Sequence, residues 1–221
     1  MLRILYLLAA LGVLSSFDIF WDYPMVHSIS KGLLMPILIT MVILKGKECK
    51  ARFFLIAALA CSWAGDLLLL GDEDSFFLGG LSAFLVAHIF YIITFRKARE
   101  DNHEIPATSK LPLFYFLFLA IAASIFLSLR NFLGEMELPV LLYTLVIMVM
   151  ALQALNRSRK TSGKSFRMVF LGALIFMLSD TLLAWNMFRD ELEFGRYLII
   201  GTYALAQWLI VEGILAHPEK K

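Results

Sequence analysis

The chain has 221 residues, 60% of them hydrophobic and only 17% charged. That balance excludes a soluble domain of this length, and a formal net charge of only +2 gives no reason to expect a nucleic-acid partner. The charges gather in short clusters between long uncharged runs, which is the pattern of an all-α integral membrane protein.

A helix needs about 20 apolar residues to cross a bilayer, and eight segments meet or approach that length. The first, Leu2–Phe20, opens on Arg3 and is read as a retained span, because no convincing small-x-small cleavage site follows it. The second, Ile29–Leu44, has Lys31 at its outer mouth and Pro36 inside, a predicted kink. The third, Arg52–Leu70, carries Ser62-Trp63-Ala64-Gly65-Asp66 near its end. The fourth, Phe77–Phe95, places His88 near its middle and Tyr91 on the same face three residues on. Leu111–Leu129 and Met136–Leu155 follow. The seventh, Phe166–Phe188, carries Ser179-Asp180. The eighth, Phe194–Ala216, sets Tyr203 and Gln207 one turn apart, with Glu212 on the opposite face reading as an interfacial residue. Connections are short, so consecutive helices are expected to pack antiparallel.

The basic residues set the orientation. Lys45, Lys47, Lys50 and Arg52 flank the second connection. Arg96, Lys97, Arg99 and Lys110 flank the fourth, and Arg157, Arg159, Lys160, Lys164 and Arg167 the sixth. Arg3 starts the chain and Lys220 and Lys221 end it. The other side has Lys31, Arg130, Arg189 and Arg196, and the acidic run Asp72-Glu73-Asp74, read as a solvated loop. By the positive-inside rule both termini are cytoplasmic. A single transmembrane domain, 1–221, is expected. Laying Phe53–Leu70 over Arg167–Ala184 puts Asp66 on Asp180, which suggests two parallel four-helix half-repeats, 1–110 and 111–221.

Counting 1.5 Å per residue from Arg52, Asp66 lies roughly 21 Å along its helix, in the outer half of the bilayer, and Asp180 reaches a similar depth. An ionised carboxylate is costly out of water and rare in a spanning helix, so each acid marks a functional site. The alternative for each is a structural hydrogen bond between helices. His88 reads either as a satisfied core histidine or as a proton-handling group. Tyr91, Tyr203 and Gln207 also fit packing and bridging roles. Lys31 also fits a side chain snorkelling to the interface. Ser62 and Ser179 are expected to bond to the backbone of their own helices. No zinc-protease, phosphate-loop or nucleophile-elbow motif occurs, and the two cysteines, Cys49 and Cys61, form no CxxC pair. No metal and no cofactor is expected.

Three stretches taken together are distinctive. They are Ser62-x-x-Gly65-Asp66-x-Leu68-Leu69, then Phe77-Leu78-Gly79-Gly80-Leu81-x-x-Phe84-Leu85-x-x-His88-x-x-Tyr91, then Ser179-Asp180-x-x-Leu183-Ala184. The set resembles the YhhN family, which includes the transmembrane-protein-86 lysoplasmalogenases, and the likeness runs across nearly the whole chain, Lys31 and Pro36 included. The resemblance implies metal-independent hydrolysis of the vinyl ether of a lysoplasmalogen, giving a fatty aldehyde and glycerophosphoethanolamine or glycerophosphocholine. It implies a bacterial plasma membrane as the location and a lysophospholipid within the bilayer as the partner. Asp66 and Asp180 would then be catalytic, one protonating carbon and the other stabilising the cation and orienting water. His88 and Tyr91 would tune the acid or guide water. Tyr203 and Gln207 would hold the ether oxygen or a glycerol hydroxyl, and Lys31 the lipid phosphate.

Two other classes fit part of the pattern. A proton-coupled carrier would also place acids within the membrane, but it calls for broken helices at matching positions, and only Pro36 and Pro139 are candidates. A non-enzymatic lipid-binding protein gives no reason for two acids at one depth.

Overall fold

The computed structural model describes residues 1–18, 21–22, 24–71, 74–100 and 113–217, with side chains for 1–16, 28–71, 75–100 and 113–217. Asp72, Glu73, Lys110, Lys220, Lys221 and the first residues of the expected fifth span lie outside them, as does the side chain of Asp74. Eight α-helices occur among the described residues, one for each expected span. They are α1 (Leu2–Ser15), α2 (Pro24–Lys45), α3 (Arg52–Leu68), α4 (Asp74–Lys97), α5 (Leu113–Leu133), α6 (Glu137–Leu155), α7 (Gly163–Phe188) and α8 (Gly195–Leu215). A 3-10 turn, Gly134–Met136, leads into α6.

Among the described residues six stretches are long and apolar enough to cross a membrane: Ser28–Lys45, Ser75–Lys97, Leu113–Phe132, Gly134–Leu155, Gly163–Phe188 and Gly195–Leu215. The chain is a multi-pass membrane protein. α1, with 14 residues, and α3, with 17, fall short of that length.

The ends of the first two helices differ from expectation. α1 stops at Ser15, because the Ser15 and Ser16 hydroxyls turn back onto the carbonyls of Gly12 and Val13 at 3.1 and 2.6 Å. Phe17–Asp18 is then extended and pairs with Trp21–Asp22 in a two-residue antiparallel ladder. α2 begins earlier than Ile29, at Pro24, whose fixed φ suits a first helical position.

Two compact units divide the chain, Met1–Thr94 and Phe95–Lys221. In the first, α1 packs on α2 and α2 on α3. α1 turns Tyr6 and Val13 inward, seven residues apart and so on one face, and leaves Ile4, Leu5, Leu7, Leu8 and Leu11 exposed, as a lipid-facing helix does. Leu34, Met35, Leu38, Met41 and Val42 of α2 are fully buried, as are Leu55, Ala58, Leu59 and Ser62 of α3. Those intervals of three and four place each set on one stripe.

In the second unit, α5 packs on α6 and α7, α6 on α7, and α7 most extensively on α8. Small residues allow the last pair to approach backbone to backbone. A Cβ on Gly172 would lie 3.0 Å from the Ala206 carbonyl, and one on Gly213 would lie 3.0 Å from the Val169 amide. Arg157, expected to be one of the basic residues flanking the sixth connection, is fully buried. Its Nη1 donates to the carbonyl of Phe95 at 3.4 Å and to that of Ala98, and its Nη2 donates to Ser165 Oγ at 2.9 Å. The last carbonyls of a helix lack partners within it, and a guanidinium supplies donors and a favourable charge there.

Candidate active site

In the first unit α1 and α2 each bring a polar side chain to Asp66 of α3, and α4 brings a tyrosine within range of one of them. Asp66 sits in the last turn of α3 and is only 2% exposed. Tyr6 of α1 and Lys31 of α2 both lie within electrostatic range of its carboxylate, and Tyr6 is also within range of Tyr91 of α4. Tyr6 and Tyr91 are buried. Phe84, His88 and Tyr91 form the buried face of α4 that the helical spacing predicts. Gly65 brings α3 close to that face, since a Cβ there would lie 2.6 Å from the Phe84 ring. This accounts physically for a glycine directly before the acid. The indole Nε1 of Trp63 donates to the Gly32 carbonyl of α2 at 2.9 Å.

In the second unit Asp180 stands two turns before the end of α7 and is half-buried. Its Oδ2 accepts a hydrogen bond from the Tyr143 hydroxyl of α6 at 2.6 Å, the short distance typical of a bond to a charged acceptor. Ser179 Oγ donates to the Ile199 carbonyl of α8 at 2.9 Å, so it bridges two helices, against the expectation of a bond to its own. Tyr203 meets Phe176 edge to face, 5.6 Å between centroids, and Gln207 is fully buried one turn along α8. Glu212, expected at the interface, is buried as well.

The structure thus gathers Lys31 and Asp66 in one unit, with Tyr91 joined to them through Tyr6, and sets His88 one turn from Tyr91. Ser62 is buried in that unit, and its hydroxyl has no hydrogen-bond partner among the described residues, against the expectation of a bond to its own helix. Ser179, Asp180, Tyr203 and Gln207 belong to the other unit. Among the described residues no three of His, Cys, Asp or Glu come together as a metal site would need, and Cys49 and Cys61 are free thiols. Tyr6 and Tyr143 were not singled out from the sequence.

The model of the YhhN family matches residues 26–214, a stretch that holds both aspartates and every other expected site residue. The chain belongs to the YhhN family. Similar YhhN relatives include lysoplasmalogenase TMEM86B of Mus musculus, 31% identical over 77% of this chain and 67% of that protein. TMEM86B of Sus scrofa is 31% identical over 85% and 75%, and TMEM86B of Homo sapiens 32% identical over 74% and 64%. The chain therefore spans about two thirds to three quarters of these relatives. No solved structure matches it.

Proposed function

We propose that this chain is a lysoplasmalogenase, hydrolysing the vinyl ether of a lysophospholipid drawn from the bilayer. The observation that carries the reading is a carboxylate on an apolar helix of each unit, held by polar partners, in a chain whose relatives bear that name. Vinyl ether hydrolysis begins with a proton transferred to the β-carbon. The double-bond electrons form the new C–H bond, and the ether oxygen shares the positive charge left at the α-carbon. Water adds to that carbon and releases a proton, and the hemiacetal then breaks its C–O bond to the glycerol, giving a fatty aldehyde and the glycerol hydroxyl. One proton goes in and one comes out, so no cofactor is consumed. One of Asp66 and Asp180 delivers the first proton. The other stabilises the cation and takes the proton from water, as paired carboxylates do in glycoside hydrolysis.

His88, Tyr91 and Ser62 support Asp66, and Ser179 supports Asp180 by fixing α7 on α8. Tyr203 and Gln207 hold the ether oxygen or a glycerol hydroxyl, and Lys31 serves the phosphate or the carboxylate beside it. We further propose that α1 and α3 also cross, giving eight spans with both termini cytoplasmic, in a bacterial plasma membrane. The 17 residues of α3 are at the lower limit for a span. The parallel half-repeat relating Asp66 to Asp180 belongs to the same reading.

The test is aldehyde release from a lysoplasmalogen by the purified chain in detergent. An enzyme turns over there, whereas a carrier needs a sealed compartment. Absence of turnover in correctly folded protein, together with substrate uptake after reconstitution into vesicles, rejects the hydrolase in favour of the carrier.

A further inference from the structure

Pro36 interrupts the hydrogen-bond ladder of α2. It has no amide hydrogen, so the carbonyl four residues earlier, that of Gly32, loses its helical donor. Within a bilayer no water replaces that donor, and an unsatisfied backbone carbonyl is expensive. Trp63 Nε1 of α3 fills the gap at 2.9 Å. Gly32 directly follows Lys31, and Trp63 lies one turn before Asp66 on the same side of α3. The bond therefore ties α2 to α3 at the level where Lys31 and Asp66 are in electrostatic range. An exposed tryptophan in a membrane helix ordinarily anchors at the headgroups with its N–H sent outward. This one sends its N–H to a carbonyl that the chain's own proline has vacated.

We infer that Trp63 is a positioning residue whose bond to Gly32 sets the rotation and depth of the last turn of α3, so that Asp66 meets Lys31 and Tyr6. The role rests on the reading of Asp66 as a catalytic acid. Pro36 is the other half of the device, because without its amide the Gly32 carbonyl has no donor within its own helix. Replacing Pro36 by alanine returns an amide to the ladder and makes the indole redundant.

Four proteins decide the matter in detergent: the wild type, Trp63→Phe, Pro36→Ala and the double variant, each followed by thermal unfolding and by aldehyde release. Trp63→Phe alone is expected to lower the unfolding midpoint by about 2–4 °C, as the loss of one hydrogen bond does in a chain of this length. It is expected to lower kcat about tenfold with KM within about threefold, the signature of a displaced catalytic group. In the Pro36→Ala background both losses shrink by at least half, because the two residues compete for one carbonyl. Equal losses in the two backgrounds overturn the bond as their cause. A midpoint shift that depends on Pro36, with kcat unchanged, overturns the positioning role and leaves a structural bond. If the wild type releases no aldehyde, the lysoplasmalogenase reading fails and the positioning role falls with it, while the unfolding cycle still decides the bond.

Discussion

Asp66 and Asp180 overlay in sequence, yet the two units hold them differently. Asp66 is almost fully buried in the last turn of its helix, with a lysine and a tyrosine in electrostatic range. Asp180 is half-buried two turns before its helix ends and is gripped by one phenol at 2.6 Å. The helix preceding each acid supplies the contrast, a cation in Lys31 and a neutral donor in Tyr143. An alignment that matches acid to acid thus fixes the helix and not its surroundings. Two carboxylates serving different steps of one reaction need unlike surroundings, whereas two symmetric binding residues do not.

The largest expected effect is on the acids themselves. Asp66→Asn and Asp180→Asn should each lower kcat by about 10²–10⁴, the range of a lost general acid or base, with unfolding midpoints near the wild type. If either variant retains more than about a tenth of the activity, that acid is structural and the pairing of roles is broken. Next comes the phenol. Tyr143→Phe removes the hydrogen bond to Asp180 and should lower kcat roughly tenfold while the protein still folds. Tyr6→Phe leaves Asp66 its lysine and should cost less than Tyr143→Phe in the same assay. The opposite order would show that the buried acid depends more on its phenol than the half-buried one does.

Much of this was legible in the sequence, for physical reasons that vary with the residue. The long helices stood out because a stretch that crosses a membrane has to be apolar, and the acids stood out because they are charged residues within such runs. The true end of α1 was hidden, since two serines ending an apolar run look like ordinary polar punctuation until their hydroxyls are seen on Gly12 and Val13. Tyr6 and Tyr143 were missed because a tyrosine in an apolar helix also reads as packing, and only its hydroxyl's destination separates the two. Arg157 was counted as one charge among several in a basic cluster, and nothing in its neighbours marks it as the residue that turns inward to the carbonyls of Phe95 and Ala98. Trp63 stands inside the most distinctive stretch, but no role shows in the sequence, because the link between a proline and an indole 27 residues later (63 − 36) exists only once α2 and α3 are side by side.

Stability sharpens the contrast between units. Gly172→Ala would drive a Cβ against the backbone of α8, which cannot swing aside, and should cost about 1–3 kcal/mol, read as a lowered unfolding midpoint in detergent. Gly65→Ala would meet the Phe84 ring, a side chain that can turn, and should cost less in stability. Because Phe84 shares its face of α4 with His88 and Tyr91, the displaced ring should cost relatively more in kcat. A larger stability loss for Gly65→Ala than for Gly172→Ala would place the tighter helix crossing in the first unit.

The smallest effect separates two duties of Lys31. An ammonium that serves only the lipid phosphate acts on ground state and transition state alike, so losing it raises KM and leaves kcat alone. An ammonium that serves the carboxylate of Asp66 acts where charge moves, so losing it lowers kcat. The electrostatic contact with Asp66 favours the second outcome for Lys31→Gln: kcat down about three- to tenfold, KM changed by less than about threefold. Lys31→Arg keeps the charge and should restore most of kcat. A pure KM effect would instead return Lys31 to the phosphate, and the lysine would no longer distinguish Asp66 from Asp180.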